Sequence, residues 1–300
     1  MFVTVLGAGA GGGLPQWNCG CPNCSDARSG RIPPMTQSSV GVSLDGRDWV
    51  VLNASPDIRD QLARQPDFHP TSLRGTPIHT VVLTNGDIDH IAGLLTLREK
   101  TGFRVAATAE TAGILAANSV FAVLDRDLVA MDPIRLDQPF EPLPGLTILP
   151  FAVPGKIPLF LEDEGIAADS EALKAMGEQT IGLRISAGDK CVYYIPGCAE
   201  IPDWLIARLQ DADLLLFDGT VWENDEMSRT GTGAKTGARM GHVAMDGPQG
   251  AMARLQGISA RKVFIHINNT NPVLQPHGPE RARAEAAGWT IAQDGMRFTP

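Results

Sequence analysis

A strand that runs directly into a cluster of polar side chains places the strongest constraint on the fold of this chain. Segment 78–83 is apolar and rich in β-branched residues, which predicts a short strand, and apolar residues recur at helical spacing after the turn. The turn itself carries Asn85, Asp87, Asp89 and His90. Open α/β sheets place their binding sites at such strand-to-helix turns. The turn therefore predicts a metal or binding site, the alternative being a solvated loop in which Asp89 caps the helix.

The composition predicts one compact domain that spans residues 1–300, because 43% of the 300 residues are hydrophobic and no long polar tract interrupts them. The net charge of −9 and the scattered Lys and Arg residues argue against a nucleic-acid partner, since nucleic-acid binders usually gather a basic patch. No segment resembles a signal peptide or approaches the ~18 apolar residues of a membrane span. We therefore expect a cytoplasmic protein without a membrane span.

Three of the five cysteines are crowded into an amino-terminal loop, about residues 14–30, at Cys19, Cys21 and Cys24. In a reducing compartment this spacing favours metal ligation over disulfides. Three thiolates can bind one tetrahedral Zn²⁺ if a fourth ligand comes from elsewhere, and such a site has no open position. We therefore expect a structural zinc, the alternative being three reduced surface thiols.

Two glycine-rich segments match nucleotide-binding motifs only formally. Residues 7–12 fit G-x-G-x-x-G, but the chain continues into the cysteine cluster where a dinucleotide-binding turn would open a helix. Residues 228–237 contain a P-loop-like fragment without the required spacing. We interpret the first segment as a tight turn and the second as a mobile loop that closes over the site.

Strand and helix patterns alternate along both halves of the chain. The predicted strands are 2–6, 40–44, 49–53, 78–83, 104–108, 146–153, 181–186, 191–195, 214–217, 262–267 and 289–292. The predicted helices are 58–64, a segment near Arg98, 109–124, 202–209, 246–255 and 279–287, and residues 154–177 form an acidic loop. Strands followed by helices in each half predict an α/β fold in which two packed sheets lie between helices, a four-layer αββα sandwich.

Reactive side chains also lie at three later predicted strands: Cys198 and Asp218 each follow a strand, and His266 lies within one. A single histidine in an apolar strand is more often a hydrogen-bonded core residue than a ligand. Together with the turn at residues 84–90, however, these side chains indicate one site at a common edge of the strands.

With these residues in view, the chain resembles the metallo-β-lactamase superfamily over essentially its whole length. Within that superfamily it is most similar to the protein B family of pyrroloquinoline quinone (PQQ) biosynthesis. The H-x-H-x-D-H motif of the superfamily falls on Asn85-x-Asp87-x-Asp89-His90. Its metal-bridging aspartate falls near Cys198 and its last histidine on His266. The resemblance implies a four-layer metallo-β-lactamase sandwich.

The departures from the motif concern the first of the two metal sites found in the hydrolases. Asn85 and Asp87 replace two of its histidines, and the third falls near Gly155. The counterparts of the second site remain as Asp89, His90 and His266. Two imidazoles and one carboxylate with open positions are typical of non-haem Fe(II) oxygenases, so we expect one Fe(II), with zinc or manganese as alternatives.

The resemblance implies Fe(II)- and O₂-dependent hydroxylation of the tyrosine in a Glu-Tyr unit, within PQQ biosynthesis and alongside other proteins of that pathway. Asp87, Asp218 and Asn85 are the candidates for bases or for groups that orient the ligands. The alternatives are a zinc-dependent hydrolase and a non-catalytic carrier of PQQ or its precursor. Five basic residues are candidates for binding substrate carboxylates: Lys156, Arg184, Arg229, Lys235 and Arg239.

The cysteine cluster resembles the zinc loop of the phosphodiesterase branch of the superfamily. In that branch a histidine three residues after the last motif histidine completes the site, and here that position is Asn269. The fourth ligand is therefore Asn269, His277, His242 or water.

Overall fold

Two mixed β-sheets form the centre of the computed structural model, which describes residues 1–156 and 176–300. The strands of the first sheet are β1 (Phe2–Gly7), β2 (Ser39–Ser43), β3 (Trp49–Leu52), β4 (Ile78–Val82), β5 (Phe103–Ala107), β6 (Val129–Pro133) and β14 (Arg297–Phe298). Their spatial order is β14-β1-β2-β3-β4-β5-β6. Strands β3 to β6 run parallel, whereas β14, β1, β2 and β3 pair antiparallel.

The second sheet has the same mixed design. Its strands are β7 (Phe140–Leu143), β8 (Leu146–Ala152), β9 (Ile181–Ala187), β10 (Lys190–Ile195), β11 (Leu214–Asp218), β12 (Arg261–Ile265) and β13 (Trp289–Ile291), in the spatial order β13-β12-β11-β10-β9-β8-β7. Strands β10 to β13 run parallel, so their carboxyl ends lie along one edge of the sheet. Strands β7 to β10 are antiparallel.

Eight α-helices lie within the described residues. They are α1 (Pro22–Arg28), α2 (Ile58–Arg64), α3 (Ile88–Ile91), α4 (Ala109–Ala117), α5 (Asp203–Arg208), α6 (Glu226–Arg229), α7 (Ala251–Arg254) and α8 (Pro279–Ala286). Local chemistry starts several of them: the Thr108 hydroxyl accepts a bond from the Thr111 N–H at the start of α4, and Pro22 and Pro279 occupy the first turns of α1 and α8. None of the described helices is long and apolar enough to cross a membrane.

The layers follow from the alternation of side chains along the strands. In β3, Val50 and Leu52 belong to the large apolar cluster that includes the second sheet, whereas Trp49 and Val51 belong to a separate cluster with Ile58 of α2. The first cluster also takes in buried residues of α5, α7 and α8. The two sheets therefore lie between helices, which confirms the predicted α/β sandwich.

The two ends of the chain meet at the glycine-rich turn that follows β1. Strand β14 pairs with β1, and the Asp294 carboxylate accepts bonds from the N–H groups of Ala8 (2.9 Å) and Thr36 (2.8 Å). Ala8 and Ala10 in turn exchange backbone bonds with Ile267, just beyond β12. The glycine-rich turn is thus held by residues far away in sequence, and it opens no helix, as the sequence predicted.

Several predicted boundaries were wrong. The helix predicted over 109–124 ends at Ala117 because Asn118 is extended, and a 3₁₀ turn follows. The helix predicted near Arg98 is α3 with a 3₁₀ turn ending at Leu95, and the helix predicted over 246–255 is only α7 because Gly247 has a φ of 95°. Sequence reasoning missed α1, α6, β6, β7 and β14. Most of the predicted acidic loop lies outside the described residues.

Candidate active site and cysteine cluster

The ends of three strands line a cavity of about 320 Å³. The turn after β4 contributes four side chains, the segment after β11 contributes Thr220, and the segment after β12 contributes His266. The four side chains of the turn are Asn85, Asp87, Asp89 and His90. The structure therefore brings together the motif turn and the distant histidine.

Three of these side chains converge as a group that could hold a metal ion. One ligand atom from each of Asp89, His90 and His266 lies within 4.8 Å of the others. Asp89 Oδ2 is 3.0 Å from His266 Nε2 and 3.8 Å from His90 Nε2. His90 Nε2 is buried and has no hydrogen-bond partner in the part of the chain that is described. A buried nitrogen left without a partner is costly, and a cation bound at this point would satisfy it.

Asn85 fixes the orientation of His90. Its side-chain oxygen lies 2.7 Å from His90 Nδ1 and also accepts the N–H of Asp87 at 3.0 Å. Because an amide oxygen can only accept, Nδ1 of His90 carries the hydrogen and Nε2 presents its lone pair toward Asp89. Asn85 thus holds a ligand in place through its own oxygen.

His266 is held in a rare backbone conformation directly after β12. Its φ is 60°, in the left-handed region that side chains other than glycine seldom occupy. Its Nδ1 lies 2.8 Å from Thr220 Oγ1, and that hydroxyl donates to Asp218 Oδ1 at 2.7 Å. Such strain is retained where the surroundings fix the residue, and it turns Nε2 toward Asp89.

Behind His266 lies a second histidine that sequence reasoning assigned only to the cysteine cluster. His242 donates from Nδ1 to the fully buried Asp218 Oδ2 at 2.8 Å, and its ring stacks on that of His266 with centroids 5.1 Å apart. Asp218, His242 and His266 also form a compact group. The Nδ1 atoms of both rings are already engaged by Asp218 and Thr220, so the contacts favour a hydrogen-bonded support. In the sequence, only the position of His242 in the glycine-rich stretch between β11 and β12 indicated such a role.

The electrostatics of the group favour an anionic carboxylate among imidazoles. Burial opposes ionisation of Asp89, but the electrostatic influence of the adjacent His90 imidazole and the hydrogen bond from His266 outweigh it and hold the pKa of Asp89 below its usual range. Burial also opposes protonation of His266, yet the bond to Asp89 raises its pKa. Burial lowers the pKa of His90, which keeps its ring neutral, the form that binds metals.

The sulfur of Cys198 does not join this group, contrary to the sequence-based expectation. Cys198 Sγ bonds to the Glu200 carbonyl oxygen at 3.0 Å, while its backbone N–H donates to Asp218 at 3.0 Å. The side chain is fully buried, and burial raises the pKa of its thiol. Cys198 therefore supports Asp218 through its backbone, because its side chain points into the core.

The basic candidates divide between the cavity and the surface. Lys156 and Lys235 line the cavity, and Lys156 Nζ lies 3.8 Å from Asp87 Oδ1. Arg184 pairs with Asp211, and Arg229 pairs with Glu223, neither within the cavity lining. The P-loop-like segment thus contributes to the cavity wall through Lys235.

The cysteine cluster forms a separate group of possible ligands, in which the sulfurs of Cys19, Cys21 and Cys24 lie within 4.8 Å of one another. The Asn269 side-chain amide contacts all three, at 3.2, 3.7 and 3.3 Å. His242 lies in the cavity instead, and His277 joins none of the groups of possible ligands found in the described residues.

The thiols of the cluster cannot easily ionise together. Burial and the neighbouring thiols raise the pKa of Cys21 to about 11, whereas hydrogen bonds from Cys21, Cys24 and Asn269 outweigh burial and lower that of Cys19. Three adjacent thiolates require a compensating cation, and a tetrahedral Zn²⁺ suits three sulfurs and one further donor. The arrangement therefore fits a zinc ion.

Comparison with known proteins agrees with this architecture. Residues 48–267 match the model of the beta-lactamase superfamily domain. The chain is 55% identical to Coenzyme PQQ synthesis protein B of Ruegeria pomeroyi over 99% of each chain, and 53% identical to that of Rhizobium meliloti over 98% of this chain and 96% of the relative.

Solved structures extend the comparison. A crystal structure of Zn²⁺-bound PqqB from Methylobacterium extorquens superimposes with a TM-score of 0.96 at 52% identity, covering 100% of both chains. A diphosphatase of the PhnP family shares the fold, with a TM-score of 0.69 at 22% identity over 100% of this chain and 97% of that one. The chain therefore belongs to the coenzyme PQQ synthesis protein B family of the β-lactamase superfamily.

Proposed function

We propose that this chain hydroxylates a tyrosine-derived precursor of PQQ, a Glu-Tyr unit, with Fe(II) held by Asp89, His90 and His266. The observation that carries the proposal is the buried His90 Nε2, which has no hydrogen-bond partner among the described residues and lies 3.8 Å from Asp89 Oδ2. When bound, Fe(II) supplies the redox chemistry that activates O₂ and keeps positions open for O₂ and substrate, whereas Zn²⁺ has no accessible second oxidation state.

The protein groups around the ligands have positioning roles in this proposal. Asn85 holds the Nδ1–H tautomer of His90, and Thr220 does the same for His266. Asp218 supports His266 through Thr220 and orients His242, which faces the cavity and can exchange a proton with substrate or water. Asp87, whose Oδ1 lies 3.8 Å from Lys156 Nζ, is a further acidic group in the cavity lining.

The hydroxylation replaces one aromatic C–H bond by C–OH. One oxygen atom of O₂ enters the ring, and the other leaves as water after accepting two electrons and two protons from an added reductant. The cysteine cluster has a different role: Cys19, Cys21 and Cys24 would hold a structural Zn²⁺. The Asn269 amide nitrogen donates to their sulfurs, so Asn269 would have to turn its side-chain oxygen toward the ion to serve as the fourth ligand.

A zinc-dependent hydrolase is the second candidate, because the related PqqB of Methylobacterium extorquens has been crystallised with Zn²⁺. The geometry opposes it, since Asn85 directs its oxygen to His90 and the cavity carries no histidine at positions 85, 87 and 155. A carrier without catalysis is the third candidate.

The decisive experiment starts from metal-free protein reloaded anaerobically with Fe(II) or Zn²⁺. Oxygen uptake with Glu-Tyr, a reductant and Fe(II), and a product heavier by one oxygen atom, would support the hydroxylase. Hydrolysis of ester or phosphodiester substrates by the zinc form would favour the hydrolase. Tight ligand binding without turnover under either metal would favour the carrier.

A further inference from the structure

Two cationic side chains share the cavity with the candidate metal ligands. Lys156 and Lys235 both line it, and the Lys156 side chain is only 12% exposed. The aliphatic part of Lys156 packs beside Gly241, while its ammonium lies 3.8 Å from Asp87 Oδ1. Ammonium groups that line a cavity favour an anionic ligand, because they are partly removed from water.

A chain of buried hydrogen bonds determines which end of the Asn268 amide faces this cavity. The Glu226 carboxylate accepts the Trp222 N–H at 2.6 Å and the Thr270 hydroxyl at 2.6 Å. Because the Thr270 hydrogen is used in that bond, its oxygen accepts, and its donor is Asn268 Nδ2 at 2.6 Å. Met227 Sδ is a second acceptor for the same nitrogen, at 3.3 Å. The nitrogen of Asn268 therefore faces the interior, and its carbonyl oxygen is left for the cavity.

We propose that the cavity recognises an amino-acid or dipeptide ligand by both charged ends, with a carboxylate on Lys156 and Lys235 and the protonated amine on the carbonyl oxygen of Asn268. The proposal rests on the proposed function and refines it by naming the contacts that select the substrate. Lys156 lies beside Asp87. The backbone N–H of Asn268 donates to the backbone carbonyl oxygen of Thr220, which places Asn268 nearer to His266. A ligand held at both points leaves its phenol ring for the metal side of the cavity.

Ligand chemistry gives the first test. The zinc-loaded protein is used, because zinc cannot activate O₂ and the ligand is therefore not hydroxylated, and binding is measured by isothermal titration calorimetry. The probes are Glu-Tyr, the equally large Gln-tyrosinamide without carboxylates, and N-acetyl-Glu-Tyr without the amine. We expect each derivative to bind about tenfold more weakly than Glu-Tyr, or about 1.4 kcal/mol. Equal affinities, or no binding of Glu-Tyr, would overturn the proposal.

Variants give the second test. Lys156→Met should abolish the preference for Glu-Tyr over Gln-tyrosinamide, whereas Lys190→Met, which removes a lysine paired with Asp213 outside the cavity, should retain it. Thr270→Val breaks the chain that orients Asn268 and should weaken Glu-Tyr binding while leaving N-acetyl-Glu-Tyr unaffected. Thr147→Val in β8 is its matched control. Zinc content and thermal unfolding verify that each variant is folded.

The outcomes separate this inference from the hydroxylase proposal. Selective binding of Glu-Tyr without any oxygen uptake in the Fe(II) form would remove the hydroxylase and keep the binding mode. Oxygen uptake together with equal affinities for the three probes would keep the hydroxylase proposal and remove the binding mode. A third outcome is that inorganic phosphate binds, Lys156→Met abolishes this binding, and Glu-Tyr does not bind. The lysines would then form a phosphate site, and the inference would be wrong.

Discussion

Thr180 occupies the space that any side chain at Gly155 would need. A Cβ atom at Gly155 would lie 2.7 Å from Thr180 Cβ and 2.8 Å from Cγ2 and Oγ1. Thr180 is itself fixed, because its backbone forms an isolated antiparallel β-bridge with Asn85 and its hydroxyl donates to the Lys156 carbonyl oxygen at 3.0 Å. The missing third histidine of the hydrolase site is therefore excluded by packing in addition to being absent from the sequence.

Restoring histidines alone should not create a hydrolase. We expect Asn85→His with Asp87→His to raise zinc uptake at most slightly, because position 155 still contributes no ligand and His90 loses the oxygen that orients it. Adding Gly155→His should destabilise the protein by roughly 1–3 kcal/mol through overpacking against Thr180. The measurements are zinc per chain, phosphodiesterase activity and urea unfolding.

The matched variant adds Thr180→Gly to the three histidines. It should recover much of the stability lost through Gly155→His and take up an additional zinc. A large gain in hydrolysis from the first two substitutions alone would show a hydrolase disabled by little more than two residues, and would contradict the oxygenase proposal.

The cysteine cluster should contribute to stability through its metal. Cys21→Ser should release zinc and lower the free energy of unfolding by several kcal/mol, because binding energy at a structural zinc site is also folding energy. Cys191→Ser, at a buried cysteine outside the cluster, serves as the control and should retain zinc. The measurements are zinc content and denaturant unfolding. A Cys21→Ser protein with full zinc content and an unchanged melting temperature would exclude a structural zinc site at the cluster.

His266 should be needed for iron and not for the cysteine-bound zinc. His266→Ala should abolish iron binding and oxygen uptake, at a folding cost of roughly 1–3 kcal/mol for the lost hydrogen bonds. His266→Gly should lose iron equally but be more stable than His266→Ala by about 1 kcal/mol, since glycine adopts a φ of 60° without strain. Metal analysis and thermal unfolding of both variants test this; unchanged oxygen uptake would remove His266 from the site.

Thiol reactivity should separate the cysteines by environment. Burial raises the pKa of Cys191 to about 12 and raises that of Cys198 as well, so at pH 8 both remain protonated and unreactive. Cys19, whose pKa is lowered, should react with iodoacetamide once zinc is removed with a chelator. Mass spectrometry of alkylated peptides gives the measurement, and modification of Cys198 in the folded protein would contradict its buried position.

Sequence reasoning predicted the sandwich from local patterns, and it predicted the group of Asp89, His90 and His266 from the resemblance to the superfamily motif. Apolar periodicity identified most strands, and the H-x-H-x-D-H resemblance fixed the position of the turn. Strands β6 and β7 were missed because prolines mask their pattern, and β14 because it has only two residues.

The residues around the metal ligands could not be predicted in the same way. His242 and Thr220 reach His266 only through the parallel pairing of β11 with β12, and the direction of the Cys198 sulfur depends on backbone geometry after β10. Thr180 lies 25 residues beyond Gly155 in the sequence, and no periodicity relates the two positions. These contacts follow from tertiary packing, for which one sequence offers no local signal.

The hydrogen bonds of Asp294 with Ala8 and Thr36 also have a consequence for folding during synthesis on the ribosome. During synthesis the glycine-rich turn beside the cavity leaves the ribosome before Asp294 and β14, which hold it, because Asp294 lies 286 residues after Ala8. Contacts of such long sequence separation form slowly, because the chain between their ends must first be ordered. We therefore expect a nascent chain that has already made Asp89 and His90 to lack a closed cavity until Asp294 has been added, so that any metal would be bound only after that point.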